Sequence, residues 1–257
     1  MSETNLLEAK CVTMNFGGLT AVANLSFELK KGELVGLIGP NGAGKTTVFN
    51  MLTGVYSPSF GTIHLEDELI SKLPPYRITQ KGIARTFQNI RLFNQLSVTD
   101  NVRIAFHTRK LYPIYNSIFL TPNFFKQERA IADDTKALLS LLHLEERAED
   151  KACNLSYGQM RRLEIARALA TGPKVLLLDE PAAGMNPQET EELTALIALI
   201  REKFDLTILL IEHDMTLVMK LCERIMVLDY GIQIASGTPL EIRQNKRVIE
   251  AYLGEEV

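Results

Sequence analysis

The sequence predicts an α/β fold with a parallel-sheet core, an antiparallel β subdomain and a helical subdomain. Three observations carry that prediction. A glycine-rich stretch, Gly39-Pro40-Asn41-Gly42-Ala43-Gly44-Lys45-Thr46-Thr47, lies between the apolar run Leu34 to Ile38 and a helix-like segment that Gly54 closes. Two further runs, Val175 to Leu178 and Thr207 to Ile211, are apolar almost throughout, and acidic residues follow each. Strands buried on both faces of a parallel sheet read this way. Ahead of the glycines, Asn24-Leu25-Ser26-Phe27-Glu28-Leu29-Lys30 alternates apolar and polar, as a half-exposed antiparallel strand does.

The spacing of the glycine-rich stretch fits G-x-x-x-x-G-K-[ST], the phosphate-binding loop of P-loop nucleotidases. Gly39, Gly42 and Gly44 let the backbone turn tightly and bring N–H groups against phosphate oxygens. Lys45 brings a positive charge to the β- and γ-phosphates, and the Thr46 hydroxyl is an oxygen ligand for magnesium. The helix that starts here points its positive end at the anion. A plain strand-to-helix turn also needs glycines; the buried strand before and the helix after favour phosphate.

The chain in order begins with a strand over residues 6–14, a turn at Phe16-Gly17-Gly18, and the strand at 24–30. After Gly54 a turn, Ser57-Pro58-Ser59-Phe60-Gly61, leads to a short strand from Thr62 to Leu65. A helix is expected after Pro74-Pro75, then a strand-like piece from Ile83 to Gln88. From Asn89 to Asn101 the pattern loosens, and His107 to Ala130 reads as irregular, with prolines and many aromatics. Residues 128–143 repeat apolar positions at helical spacing. Ser156 caps another helix that Gly172-Pro173 ends. Beyond it come the strand at 175–178, a helix from Glu189 to Lys203, the strand at 207–211, and strands at 224–228 and 232–235 joined at Tyr230-Gly231. Thr238-Pro239-Leu240-Glu241 carries a capping box with Pro at the first helical position. A short helical region closes the chain.

Composition bounds the function. The chain has 257 residues with 28 basic and 31 acidic side chains, a formal charge of −3, so no nucleic-acid partner is expected. Cys11, Cys153 and Cys222 stand far apart, which predicts neither a disulfide framework nor a zinc site and fits a reducing compartment. The polar Met1 to Asn5 does not read as a signal peptide, and no apolar run approaches bilayer length. Work at a membrane is therefore expected to go through partners.

Two acidic residues close the strand at 175–178. Asp179 is placed to hold magnesium through water, and Glu180 to orient or deprotonate an attacking water. Acidic strand ends are common, so this pair gains weight only from its company. The loop at 39–47, the segment Leu155-Ser156-Tyr157-Gly158-Gln159, the strand end Leu178-Asp179-Glu180-Pro181 and the lone His213 after a strand occur in one order. That order resembles the ATP-binding subunits of ABC transporters, and the likeness covers nearly the whole chain.

The resemblance implies one ABC ATPase domain over 1–257: a core with β subdomain at roughly 1–85 and 161–257, and a helical subdomain at 86–160. It implies ATP and Mg2+, with Phe16 stacking on adenine and Gly39 through Thr47 around the phosphates. Thr46, Asp179 and Gln88 would serve the metal, Gln88 also sensing the γ-phosphate. Glu180 would be the general base and His213 the switch histidine. Ser156 and Gly158, with Gln159 beside them, would contact ATP held by a second subunit. Two positions depart from the family's pattern near the expected seam between subunits: Tyr157 replaces a usual glycine and Asn186 a usual aspartate.

A closer resemblance is to the longer ATPase subunit of branched-chain amino-acid importers. It rests on Arg85 to Phe93, Ala182 to Pro187, Ile211 to Met215, Ala251-Tyr252-Leu253-Gly254 and the extra segment near 107–127. It implies two transmembrane permease subunits, a second ATPase subunit (a paralogue or self), indirect service from an external solute-binding protein, and a peripheral place on the cytoplasmic face of the cell membrane. Phe93, Leu96 and Val98 are expected either to dock a permease helix or to fill the subdomain core. Lipopolysaccharide-export ATPases are similar over the same motifs. Soluble ABC-type ATPases of ribosomes or DNA usually carry two cassettes, whereas this chain has one. A purely regulatory nucleotide binder would be expected to lack Glu180 or His213.

Overall fold

The computed structural model describes residues 5–109, 119 and 121–253. In chain order the first elements are β1 (Asn5–Phe16), β2 (Leu19–Lys30), β3 (Leu34–Ile38), α1 (Lys45–Leu52), β4 (Phe60–Leu65), β5 (Glu68–Leu69), α2 (Pro75–Lys81) and β6 (Ile83–Arg85). Three helices follow, α3 (Val98–Phe106), α4 (Pro122–Leu141) and α5 (Tyr157–Ala170). The chain then forms β7 (Val175–Asp179), α6 (Pro187–Phe204), β8 (Thr207–Ile211), α7 (Met215–Leu221), β9 (Arg224–Asp229), β10 (Ile232–Gly237), α8 (Pro239–Gln244) and α9 (Lys246–Leu253).

These elements fall into two compact units. One takes in the chain up to Arg85 and again from Lys174; the other runs Thr86–Pro173. The first holds both sheets. An antiparallel sheet has the order β2-β1-β4-β5, and a larger one the order β10-β9-β3-β8-β7-β6. In the larger sheet β9 through β6 run parallel and only β10 is antiparallel. Every residue of β3, β7 and β8 is buried, which explains their apolar sequences. In β2 the buried residues alternate, at Leu25, Phe27 and Leu29, because only one face packs. Leu7, Leu29 and Ile63 of the antiparallel strands share one hydrophobic cluster with Val35, Leu177 and Leu209 of the parallel ones, and Phe49 and Met51 of α1 lie within it.

Among the described residues of the second unit a hydroxyl starts each α-helix. Ser97, Thr121 and Ser156 accept from the backbone N–H of Asp100, Phe124 and Gln159. Asn101 is fully buried in α3. Its side chain accepts from Phe93 N–H at 2.9 Å and donates to the carbonyls of Phe93 and Ser97, each at 3.0 Å, fastening the loop that precedes the helix.

Several expectations need correction. The loosened pattern after Asn89 hides α3, and the stretch read as irregular contains the first two turns of α4. There Pro122 is the first residue of the helix, where a missing N–H costs nothing. The seven-residue α7 is too short for periodicity to show it. The strand-like piece from Ile83 keeps strand form only to Arg85. Val98 is fully buried, so of the three candidate docking residues only Phe93 and Leu96 are exposed. The second unit ends at Pro173, where the sequence division stood at 160. Leu163, Ile165 and Leu169 of α5 are buried, and that helix stays whole within the unit. Part of the extra segment near 107–127 lies outside the described residues, as does Gly254.

Candidate active site

Strand register frames the site. β8 lies between β3 and β7, with Leu37 level with Ile211 and Ile211 level with Asp179. The three strands are parallel, so whatever follows them emerges at one edge. Gly39–Thr47 follow β3, Glu180 follows β7, and Glu212 and His213 follow β8. In open α/β sheets this carboxyl edge is where ligands bind.

The loop after β3 is built for an anion. α1 starts at Lys45 with no side-chain cap and no acidic residue in its first turn. The hydroxyl caps of α3, α4 and α5 make the contrast: here no side chain caps the positive helix end, the kind of end at which anions bind. Lys45 is 6% exposed, and its Nζ donates to the carbonyls of Gly39 at 2.6 Å and Pro40 at 2.8 Å. That holds the ammonium inside the loop. Gly39 has φ 149°, and a Cβ there would sit 2.0 Å from the Leu228 carbonyl oxygen. Gly44, at φ 101°, would bring a Cβ 2.6 Å from Ala21 O. Both glycines are required by close backbone approach as well as by dihedral. Asn41, Gly42 and Thr46 are exposed, Thr47 is half-buried, and Ala43 is buried.

Asp179 and Glu180 have different surroundings. Asp179 is buried, and Arg85 at the end of β6 donates to its Oδ2 at 2.7 Å. The other arm of that guanidinium donates to Asn50 Oδ1 of α1, also at 2.7 Å, so strand and helix fix the carboxylate together. Glu180 has a left-handed backbone, φ 46°. Its Oε1 lies 2.8 Å from His213 Nε2, and an ionised carboxylate only accepts, so the ring N–H is the donor.

Glu212 braces both. Its side chain is buried, Oε1 accepts from Ala182 N–H at 2.8 Å, and Oε2 accepts from His213 N–H at 3.1 Å. Burial pushes the Glu212 carboxyl up, against those backbone hydrogen bonds. One acidic side chain thus ties the segment after Glu180 to the residue that touches Glu180.

The donor set fits magnesium. The Thr46 hydroxyl and the Asp179 carboxylate offer hard oxygen donors of the kind magnesium takes. Magnesium is ordinarily held by one or two protein groups together with water and substrate phosphates.

Phe16 ends β1 and is exposed, with its ring 5.1 Å from that of Tyr56 in an edge-on arrangement. It is not a core residue. Gln88 is exposed, in a loop of the second unit, which also holds Ser156, Gly158 and Gln159 at the start of α5. Ser156 and Gln159 form a reciprocal capping box, Ser156 N–H donating to Gln159 Oε1 at 3.0 Å. Asn186 caps α6 in the same way with Glu189, a role in which Asn equals Asp. Sequence reasoning missed Arg85, Asn50, Glu212 and Tyr56 as parts of the site. Only Glu212 carried a signal, as an acid directly after an apolar strand and before His213.

Residues 22–183 match the ABC transporter family model, and residues 233–257 match a branched-chain amino acid ATP-binding cassette transporter model. The high-affinity branched-chain amino acid transport ATP-binding protein LivG of Salmonella typhimurium is 50% identical over 97% of this chain and 98% of its own length. The lipopolysaccharide export system ATP-binding protein LptB of Escherichia coli K12 is 36% identical over the same shares. A solved ATP-binding cassette of an ABC transporter, MJ1267 in its ADP conformation, superposes with a TM-score of 0.84 at 30% identity, covering 98% of this chain and 99% of that one. The chain belongs to the ABC transporter family, as one of its ATP-hydrolysing cassettes.

Proposed function

We propose that the chain is the ATPase subunit of an importer of branched-chain amino acids. It works on the cytoplasmic face of the cell membrane, against two permease subunits and beside a second ATPase subunit, with an external solute-binding protein delivering the cargo. The observation that carries hydrolysis is the Glu180–His213 pair, on the same strand edge as the Lys45 loop. Likeness supports the solute: LivG is 50% identical and LptB 36%, which favours the importer over the export alternative. Among the described residues no helix is long and apolar enough to cross a membrane.

The roles follow from chemistry. Phe16, with Tyr56 against it, offers a ring face to adenine. Gly39, Asn41, Gly42 and Gly44 present backbone N–H groups to the phosphates, Lys45 matches their charge, and Thr46 and Thr47 add hydroxyls. Thr46, Asp179 and Gln88 would hold magnesium, which supplies charge neutralisation on the phosphates. Glu180 takes a proton from the water that attacks the γ-phosphorus, while the His213 ring, 2.8 Å away, orients the carboxylate. Ser156, Gly158 and Gln159 serve ATP bound to the second subunit.

Replacing Lys45 by Ala in its own cells tests the reading. The charge argument predicts that ATP affinity falls at least about ten-fold and that uptake of labelled leucine, isoleucine and valine stops. Loss of ATPase activity with undiminished uptake of all three amino acids, in a strain lacking other importers for them, would refute the reading.

A further inference from the structure

The second unit holds a buried ion pair that the mechanism above leaves unused. Arg161 is fully buried and Glu164 is 4% exposed, both in α5. With Tyr157 they stand at i, i+4 and i+7, one face of the helix that Ser156 caps. Glu164 Oε1 accepts from Phe87 N–H at 3.1 Å and Arg91 N–H at 3.4 Å, and its Oε2 accepts from Arg161 Nη1 at 2.8 Å. Arg161 donates to the Phe87 carbonyl at 2.6 Å, the Gln88 carbonyl at 3.1 Å and the Tyr157 hydroxyl at 3.3 Å.

The segment from Phe87 to Arg91 has no helix or strand to occupy its backbone groups. The two side chains do that instead, for residues on both sides of Gln88 and for Gln88 itself. Such a pair is a poor source of stability. Burial pushes the Glu164 carboxyl up, against the hydrogen bonds from Phe87, Arg161 and Arg91, and an apolar helix face would pack at less desolvation cost. What it does supply is one defined backbone geometry for the loop. The tyrosine that departs from the family's usual glycine gives the guanidinium one more oxygen.

We propose that Tyr157, Arg161 and Glu164 are positioning residues that set the orientation of Gln88 from the helix carrying Ser156. The proposal rests on the reading of Gln88 as a γ-phosphate and magnesium contact. It concerns turnover rather than affinity, because Lys45 and its loop belong to the other unit.

The test is a double-mutant cycle on the purified full chain, reading kcat and KM for ATP beside urea unfolding. Gln88→Ala, Arg161→Met and the double variant are compared with the parent. The expected result is a loss in kcat of about ten-fold for each single variant with KM within about two-fold, and no more than about two-fold further loss when they are combined. Multiplying losses in the double variant would overturn the proposal, as would full turnover in a folded Arg161→Met. Unchanged turnover in Gln88→Ala would fell the Gln88 reading, and this inference with it. If Arg161→Met does not fold, Tyr157→Phe replaces it in the cycle. It keeps the ring, loses one acceptor, and is expected to lower kcat about two-fold only while Gln88 is present; an equal effect without Gln88 would count against positioning.

Discussion

Glycines of the phosphate loop differ in why they are there, and single substitutions separate the reasons. Gly42 has φ 79° with open space where a Cβ would go. Alanine at that position meets only the dihedral penalty, about 1–2 kcal/mol. At Gly39 the new Cβ would lie 2.0 Å from a backbone oxygen of β9, on an atom that cannot swing away. Gly39→Ala is therefore expected to cost at least about 3 kcal/mol in urea unfolding without nucleotide, well above Gly42→Ala. Equal costs would mean that dihedral strain alone selects these glycines. Glu180 shows the opposite choice: a charged residue holds φ 46°, a conformation costing on the order of 1 kcal/mol, and Glu212 and His213 hold it there.

At the scale of elements, Glu33 and Arg224 lock the starts of β3 and β9. The contact is two-pronged, Nε to Oε1 at 2.7 Å and Nη2 to Oε2 at 2.9 Å, and Nη2 also donates to the Glu28 carbonyl of β2 at 2.7 Å. Burial alone would raise the Glu33 carboxyl; the hydrogen bonds from Arg224 and the Lys30 amide, with the charges of both residues, outweigh it and leave it low. A depressed acid stabilises the fold above its ordinary value of 4.5 and loses that contribution as pH falls through the folded value. Arg224→Met should thus lower unfolding free energy by about 2 kcal/mol at neutral pH, with the gap to the parent closing as pH falls below 4.5. A gap constant with pH would assign the loss to packing. Legibility differs among elements for equally physical reasons. β3, β7 and β8 were readable because both their faces are buried, and α5 and α8 because Ser156 and Thr238 head capping boxes. α3 was not: its nine residues open Val98-Thr99, poor helix formers, and part of its anchorage is the buried Asn101, a contact no periodicity reports. The loop, Asp179, Glu180 and His213 were legible from order along the chain. Arg85, which bonds Asp179, and Asn50, which bonds Arg85, were not, because they come together only through sheet order and the packing of α1.

At the scale of the whole molecule, the residues assigned to one ATP are divided between the two units. Lys45, Asp179, Glu180 and His213 belong to the first; Ser156 and Gly158, at the start of α5, belong to the second. In the proposed assembly the second unit of one subunit serves the first unit of another, so ATP joins two subunits head to tail. Removing the base without removing the ligand then has a definite consequence. Glu180→Gln keeps an oxygen to accept from His213 Nε2, where the carboxylate now stands at 2.8 Å, but loses the proton acceptor and one negative charge beside the phosphates. A positioned base contributes about 10²–10⁴-fold, so phosphate release should slow by at least about a hundred-fold while ATP still binds. With hydrolysis stalled, the ATP-joined dimer should persist, eluting as a dimer in size-exclusion chromatography with ATP and as a monomer without it. A Glu180→Gln chain that releases phosphate at the parental rate would remove Glu180 as the base. One that binds ATP without turnover and stays monomeric would keep the base and reject self-pairing, and a paralogous ATPase subunit added to the same column should then shift it to the dimer position.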